Sequence, residues 1–408
     1  MKTIDVLIIG AGPGGLMAGA QIKNKSVLIL DQSKNASLKL LMSGGGQCNF
    51  THTGEMKFFL EQYNGHKAFL KVAFKQFFNE DSQFFFEARG IPIWTREDGK
   101  VFPKSLKAED VKMALIEANN RLDNKVETGV CVKSIQVLKD GFQVVTDQGL
   151  YHAKFLIGAF GGCSYPTTGS DGLLFQQFKL LGHSVKALKP ALAPVYIDQD
   201  AITDLQGLSF VHKQIECFRD KKSTGRYRGD LLITHFGLSG PVILNNSRSF
   251  MPKDVLRIQF GDMNKKDLDR YLVDFAQQSG RQVISSAFKP LDYPKRLVEY
   301  LLKHLNISKD LRVSELSKEM RKNLVEVFCA YEVTLHHVGG YNVAMATSGG
   351  ICLEEINRKT MASKVVENLY FVGECMDIDG ATGGYNIQWA LTSGFIAGQN
   401  VDNTSQVS

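Results

Sequence analysis

The sequence predicts an α/β fold with an all-β segment set into its middle, and three observations predict it. The chain opens on a strand, a glycine-rich turn, a helix and a second strand. From about residue 189, past Pro190 and Pro194, it changes to short alternating apolar stretches. It closes on a buried strand, a loop rich in Gly and Asp, and a helix that begins near Tyr385.

Val6-Leu7-Ile8-Ile9 is a continuous apolar run, as in a parallel strand covered on both faces. Gly10-Ala11-Gly12-Pro13-Gly14-Gly15 follows, then a helix over Leu16–Ala20 and a second buried strand, Val27–Leu30, closed by Asp31. This is a Rossmann-like βαβ unit with a dinucleotide fingerprint. Gly10 makes the tight turn, Gly12 lets backbone approach a pyrophosphate, and Gly15 lets the helix lie on the strand. The helix N-terminus offers N–H groups to the phosphates, and Pro13 and Gly14 belong to the same cradle. Asp31, with Gln32 beside it, would meet the ribose hydroxyls. NAD fits this unit as well as FAD does.

Further along, Lys39 leads into Leu40-Leu41-Met42-Ser43-Gly44-Gly45-Gly46-Gln47-Cys48-Asn49, whose three glycines permit a backbone nest. Residues 55–122 are helical and crowded with phenylalanines, among them Phe58, Phe59, Phe69, Phe74, Phe77, Phe78 and Phe84–Phe86, which predicts a core-facing aromatic cluster. A hairpin-like stretch from Val130 to Thr146 precedes Leu156-Ile157-Gly158-Ala159-Phe160-Gly161-Gly162. In the middle of the chain, Gln214–Phe218 and Asp230–Thr234 read as strands of a small barrel or sandwich. Residues 262–326 switch to helical periodicity, with Val298, Leu301, Leu302 and Leu305 on one stripe. The closing segment runs from Leu369 through Gly373-Glu374-Cys375-Met376-Asp377-Ile378-Asp379 to Gly384-Tyr385-Asn386.

These motifs together resemble bacterial FAD-dependent oxidoreductases of aminoacetone oxidase-like or bile-acid-reductase-like type, within the glutathione-reductase-type flavoprotein superfamily. The resemblance spans nearly the whole chain and implies FAD. It places Lys39, Gly44, Gly45, Gly46, Cys48 and Asn49 along the cofactor, Val132 at the adenine, and Ala159, Gly161 and Gly162 on a strand end that returns to it. It also implies Gly373, Glu374, Asp377, Asp379, Gly384, Tyr385 and Asn386 as FAD positions. There carboxylates would meet ribityl hydroxyls, and a helix N-terminus would face the flavin edge that gains negative charge on reduction. The implied plan is one FAD domain from 1–188 and 342–408, a β-barrel domain from 189–261 and 327–341, and a helical insertion over 262–326. Three arginines of the family pattern are missing, with Leu38, Gln47 and Lys100 in their places. Gln cannot copy the bidentate pairing of Arg with phosphate or carboxylate, so the cofactor frame carries over and the family's substrate does not.

The expected activity is hydride transfer between flavin and a small organic substrate. NADH or NADPH is a further expected electron donor, and it would dock without a fold of its own because only one fingerprint is present. An amine oxidase producing hydrogen peroxide and an RNA-modifying flavoprotein are the alternatives. His235, in Thr234–Pro241, is the candidate proton donor. His336 and His337 adjoin on a strand and would face opposite ways, so no metal site is expected. The net charge of +6 is mild, and no basic stripe interleaves with aromatics, so nucleic acid is not an expected partner. Seven scattered cysteines with no C-x-x-C pair suit a reducing compartment. There is no signal segment and no apolar run of about 20 residues, which predicts a cytoplasmic protein free of the membrane. The polar tail from Asp402 to Ser408 is expected to be disordered.

Overall fold

A computed structural model describes residues 2–198 and 202–404, which form two compact units, 1–191 with 341–408 and 192–340. The first unit is built on a seven-stranded sheet. Lys2–Ile9 lies between Val27–Asp31 and Leu150–Gly158, parallel to both, and Lys125–Thr128 extends the sheet beyond Val27–Asp31. Leu150–Gly158 is shared along its length. Its first half pairs antiparallel with Gly141–Thr146, and Leu156–Gly158 pair parallel with Leu369–Phe371. The C-terminal part of the chain thereby enters the sheet begun by the N-terminal part.

Two helices fasten the same junction. The first helix, Pro13–Gly19, lies against Tyr385–Asn403, the last one. A Cβ at Gly394 would stand 2.3 Å from the Gly14 carbonyl oxygen, and one at Gly398 would stand 2.2 Å from that of Ala18. Only hydrogen at these positions lets the backbones approach so closely. The last helix continues to Asn403, and Asp402 accepts from the backbone N–H groups of Lys23 and Asn24. The disorder expected from Asp402 onward therefore does not begin there, because this carboxylate ties the helix end to a neighbouring turn. Residues 405–408 lie outside the described residues.

Phe59, Phe69, Phe74, Phe77, Phe85 and Phe86 are buried, while Phe58 and Phe84 are half or more exposed. The aromatic cluster is thus a core, with two members left outside because the short helices turn those positions to solvent. A separate antiparallel pair, Val185–Ala191 with Ala346–Ile351, belongs to this unit, so the barrel unit starts three residues past the expected boundary.

The second unit is a closed six-stranded antiparallel barrel in the order Val195–Ile197, Gly237–Ser239, Lys222–Ile233, Ser209–Arg219, Val255–Gln259, Tyr331–Val338. Closure removes exposed sheet edges. Helices Lys265–Ser279, Lys295–His304 and Lys318–Cys329 add their apolar stripes to the core of this unit; Val298, Leu301 and Leu302 are buried as the periodicity predicts, while Leu305, just past the helix end, is only partly buried. The third helix reaches Cys329, slightly into the stretch expected to be barrel. Among the described residues, no helix is long and apolar enough to cross a membrane.

Candidate functional site

In open parallel sheets, ligands bind beyond the carboxyl ends of the strands. Ile9, Asp31, Gly158 and Phe371 end four parallel strands of the first unit, and each leads into a segment that the sequence singles out. Gly10 has φ 110°, a left-handed value open to glycine, and a Cβ there would stand 2.3 Å from the Ala159 carbonyl oxygen. At Gly15 a Cβ would meet the Gly10 oxygen at 2.0 Å, so the helix sits directly on the strand. At Gly12 it would meet nothing within 4 Å. The turn is closed where it packs and open where a pyrophosphate would approach, and in this respect the residues fit an FAD.

Asp31 ends the second strand. Its Oδ2 accepts from Ala11 N and its Oδ1 from Ser33 N, each at 2.8 Å. Burial raises its pKa above the usual Asp value, and the two N–H donors act against that rise. Gln32 donates to the Gly169 carbonyl at 2.6 Å and to Asp171 Oδ2 at 3.0 Å, and the Ser33 hydroxyl donates to Thr168 O. These bonds hold the 166–171 loop against the strand end. Val132 starts the strand Val132–Leu138 and pairs with Thr146, whereas Val130 N donates to Asp31 O at 2.9 Å.

Lys39 and Glu374, 335 positions apart, form an ion pair of 2.5 Å. Lys39 also bonds the Ser164 hydroxyl, which donates to Glu374 Oε1 at 2.9 Å. That oxygen takes the Thr347 N–H at 2.8 Å, and Thr347 Oγ1 accepts from the backbone of Cys163 and Ser164. Four chain segments are knotted at one point. A Cβ at Gly162 would lie 2.3 Å from Thr347 Oγ1, so this glycine makes room for the knot. Gly161, with φ 74°, packs against Ser170.

Gly44, Gly45 and Gly46 are all left-handed, with φ 57°, 66° and 90°. Below them Cys48 is buried, and burial pushes its thiol up to about 12, which leaves it inert as a nucleophile at neutral pH. The Asn49 amide donates to Thr51 O and Val101 O, at 2.7 and 2.9 Å. Both residues support the glycine loop from its protein side.

In the closing segment, Gly373 and Gly384 have φ 74° and 94°, and a Cβ at Gly384 would stand 2.7 Å from Thr51 O. Gly384 caps the helix Tyr385–Asn403. The Asn386 side chain accepts from Gly380 N at 2.8 Å and donates to Gly380 O at 2.9 Å, so it shapes the loop. Asp377 stands 3.4 Å from His66 Nε2, and the Asp379 carbonyl takes Asn64 N–H. The Tyr385 ring stacks on His52 at 5.4 Å, and the Tyr63 hydroxyl donates to its carbonyl.

The sequence reading missed Ser164, Thr347, His52, Tyr63 and His66. Ser164 follows Gly161-Gly162-Cys163 directly and could have been included with them. Thr347 carries no signal, since its role depends on a strand pairing with residues 185–191.

His235 belongs to the barrel unit, where it is exposed and edge-on to Phe236 at 4.9 Å. The alternation expected to separate His336 from His337 fails. A bulge in the pairing with Tyr196 and Ile197 leaves both exposed, with their Nδ1 atoms 3.0 Å apart. Among the described residues, no group of three or more His, Cys, Asp and Glu gathers to hold a metal.

The chain is 31% identical over 398 residues to a ribosomal RNA dihydrouridine synthase of Haemophilus influenzae, covering 95% of this chain and 96% of that one. It is 29% identical to the enzyme of that name from Escherichia coli K12, covering 98% of each. It is also 27% identical to a 3-dehydro-bile acid delta(4,6)-reductase of Clostridium scindens, covering 96% and 97%. Among solved structures, a 3-ketosteroid-delta4-(5alpha)-dehydrogenase of Rhodococcus jostii shares the fold at TM-score 0.53 and 12% identity, covering 99% of this chain and 97% of that one. The pattern of the HI0933-like protein Rossmann domain matches residues 4–400, and the chain belongs to that family of FAD-binding oxidoreductases.

Proposed function

We propose that this protein is an FAD-dependent reductase that saturates a carbon–carbon double bond conjugated to a carbonyl, with uridine in ribosomal RNA as its substrate. The observation that carries this reading is the set of full-length relatives. Two are named as dihydrouridine synthases of ribosomal RNA and a third as a 3-dehydro-bile acid delta(4,6)-reductase. Uracil and a conjugated enone present the same problem to a flavin, a double bond made electrophilic by a carbonyl. The preference for RNA follows the higher identities, and it reverses the order in which the sequence alone ranks an RNA and a small molecule.

FAD, when bound, supplies the hydride. The chain's own residues provide the rest. The open side of the Gly10–Pro13 turn takes the pyrophosphate, and Asp31 takes the ribose. The left-handed glycines Gly44–Gly46 bring backbone close to the cofactor. The N-terminus of helix Tyr385–Asn403, held by Gly384, favours negative charge at the flavin edge. A proton drawn from solvent completes the reduction at the second carbon of the double bond. NADH or NADPH supplies the electrons.

The test is anaerobic. The flavin should bleach on mixing with NADPH or NADH, and its colour should return on addition of ribosomal RNA whose uridines gain a pair of hydrogens by mass spectrometry. A flavin that no nicotinamide bleaches refutes the reductase reading. Bleaching by amines, with hydrogen peroxide formed in air, would instead make the protein an amine oxidase.

A further inference from the structure

The barrel unit carries a feature that the cofactor site does not use. On two adjacent strands and the turn at 234–237, five rings form one ladder. Phe236 stacks on Tyr196 at 4.5 Å and 24°, and Tyr196 stacks on His337 at 4.3 Å and 12°. His235 stands edge-on to Phe236 at one end, at 84°, and His336 stands at 71° to His337 at the other. The register places Tyr196 opposite both Gly237 and His337, so the ladder crosses from the turn at 234–237 over Val195–Ile197 to Tyr331–Val338.

A row of aromatic rings ordinarily earns its place by burial. This one does not: His235, His336 and His337 are exposed, while Phe236 and Tyr196 are only partly covered. The bulge is what keeps both histidines outside, since regular alternation would have turned one of them inward. Next to the ladder, the Lys253 N–H donates to Leu335 O at 2.8 Å, which sets an exposed cation one residue from His336.

We propose that this ladder is a stacking platform for an unpaired base of an RNA strand. Unpaired bases bind proteins by laying their faces on aromatic side chains, with nearby cations meeting the phosphates. The edge-on histidines at the two ends are exposed and singly anchored. A base can take the place of either and continue the stack on Phe236 or His337. The inference rests on the reading of RNA as substrate, but its test reads binding and not turnover.

The probe is a fluorescein-labelled oligouridine ten-mer, titrated with the FAD-loaded protein and followed by anisotropy at fixed low salt. Phe236→Leu and His337→Leu each keep an apolar side chain and remove the ring face at one end of the ladder, and at least one of them should weaken binding by about five- to 150-fold. Phe236→Tyr keeps the ring and should bind like the parent. A merely structural role for the ring would not produce a loss of RNA affinity in variants whose thermal unfolding matches the parent. No binding by the parent overturns the proposal, as does parental affinity in both leucine variants. It also falls if those variants keep oligouridine and lose affinity for a planar 4-ene-3-ketosteroid instead. If the ladder binds oligouridine but ribosomal uridine is never reduced, the functional reading fails and the platform stands.

Discussion

Gly12→Ala separates a glycine that serves the cofactor from those that serve the fold. Gly12 has φ −76° and ψ 178°, values that alanine adopts freely, and its added Cβ would meet no protein atom within 4 Å. The cofactor-free protein should therefore keep its stability, or gain about 0.4–1 kcal/mol because alanine restricts the unfolded chain. The methyl group would project into the space assigned to the pyrophosphate. Overpacking there costs about 1–3 kcal/mol, which is roughly a five- to 150-fold loss in FAD affinity. Gly15→Ala is the contrast. Its Cβ would stand 2.0 Å from the Gly10 oxygen, a backbone atom that cannot step aside, so the cofactor-free protein itself should lose at least about 1–3 kcal/mol. Urea unfolding of the stripped protein gives the stabilities, and flavin fluorescence during titration with FAD gives the affinities. Gly12→Ala with parental FAD affinity would refute the assignment of this turn to the pyrophosphate.

Three other outcomes follow from the same geometry. Lys39→Met and Glu374→Gln should each cost about 2 kcal/mol, between a surface pair and a fully buried one, because the side chains are 24% and 20% exposed. The double variant should cost little more than either single, and a double-mutant cycle that sums within about 0.5 kcal/mol would show the pair to be uncoupled. Asp31 has a raised pKa in the folded chain, so its contribution to stability is complete below the usual Asp range and is lost as pH rises through the raised value. In the cofactor-free protein, Asp31→Asn should gain on the parent as pH climbs through and above the usual Asp range, and a constant difference would contradict the shift. Cys131 is half-buried while the other six cysteines are buried, and burial holds Cys48 at about 12 and Cys329 at about 11. A thiol reagent at neutral pH should titrate one cysteine in the native protein, and Cys131→Ser should abolish that reaction.

Periodic and local signals were legible in the sequence, and pairwise ones were not. The βαβ unit, the helical stripe of Val298, Leu301 and Leu302 and the phenylalanine core each repeat a pattern within a short window. The glycine turn was legible for the same reason, since its requirements lie within six residues. The Lys39–Ser164–Thr347–Glu374 knot has no such window. Each member is an ordinary polar residue, and only the sheet order brings them together. The bulge at His336 hid for a related reason: an extra residue in one strand is visible only against the strand that lacks it. A period-two reading was bound to place the histidines on opposite faces.

The departures from the family pattern fall on one side of this division. Leu38 opens a short helix, Gln47 is exposed beyond the left-handed glycines, and Lys100 pairs with Asp98 at 2.8 Å on the surface. None of the three is in the knot or at a glycine contact, so exchanging a guanidinium there alters the charge offered to a ligand and leaves the packing intact. Several residues that match the pattern are ones that sterics dictates: Gly10 and Gly15 against the strand, Gly162 against Thr347, Gly384 against Thr51. A substitution at any of those drives a methyl group into backbone or side chain, whatever the substrate. Family membership is therefore inherited through contacts that make the fold and the cofactor's bed, and substrate choice is free to drift through exposed side chains that no packing constrains. By that reasoning the substrate must be sought on exposed groups, and the Phe236–Tyr196–His337 ladder is where an unpaired base would find ring faces to stack on.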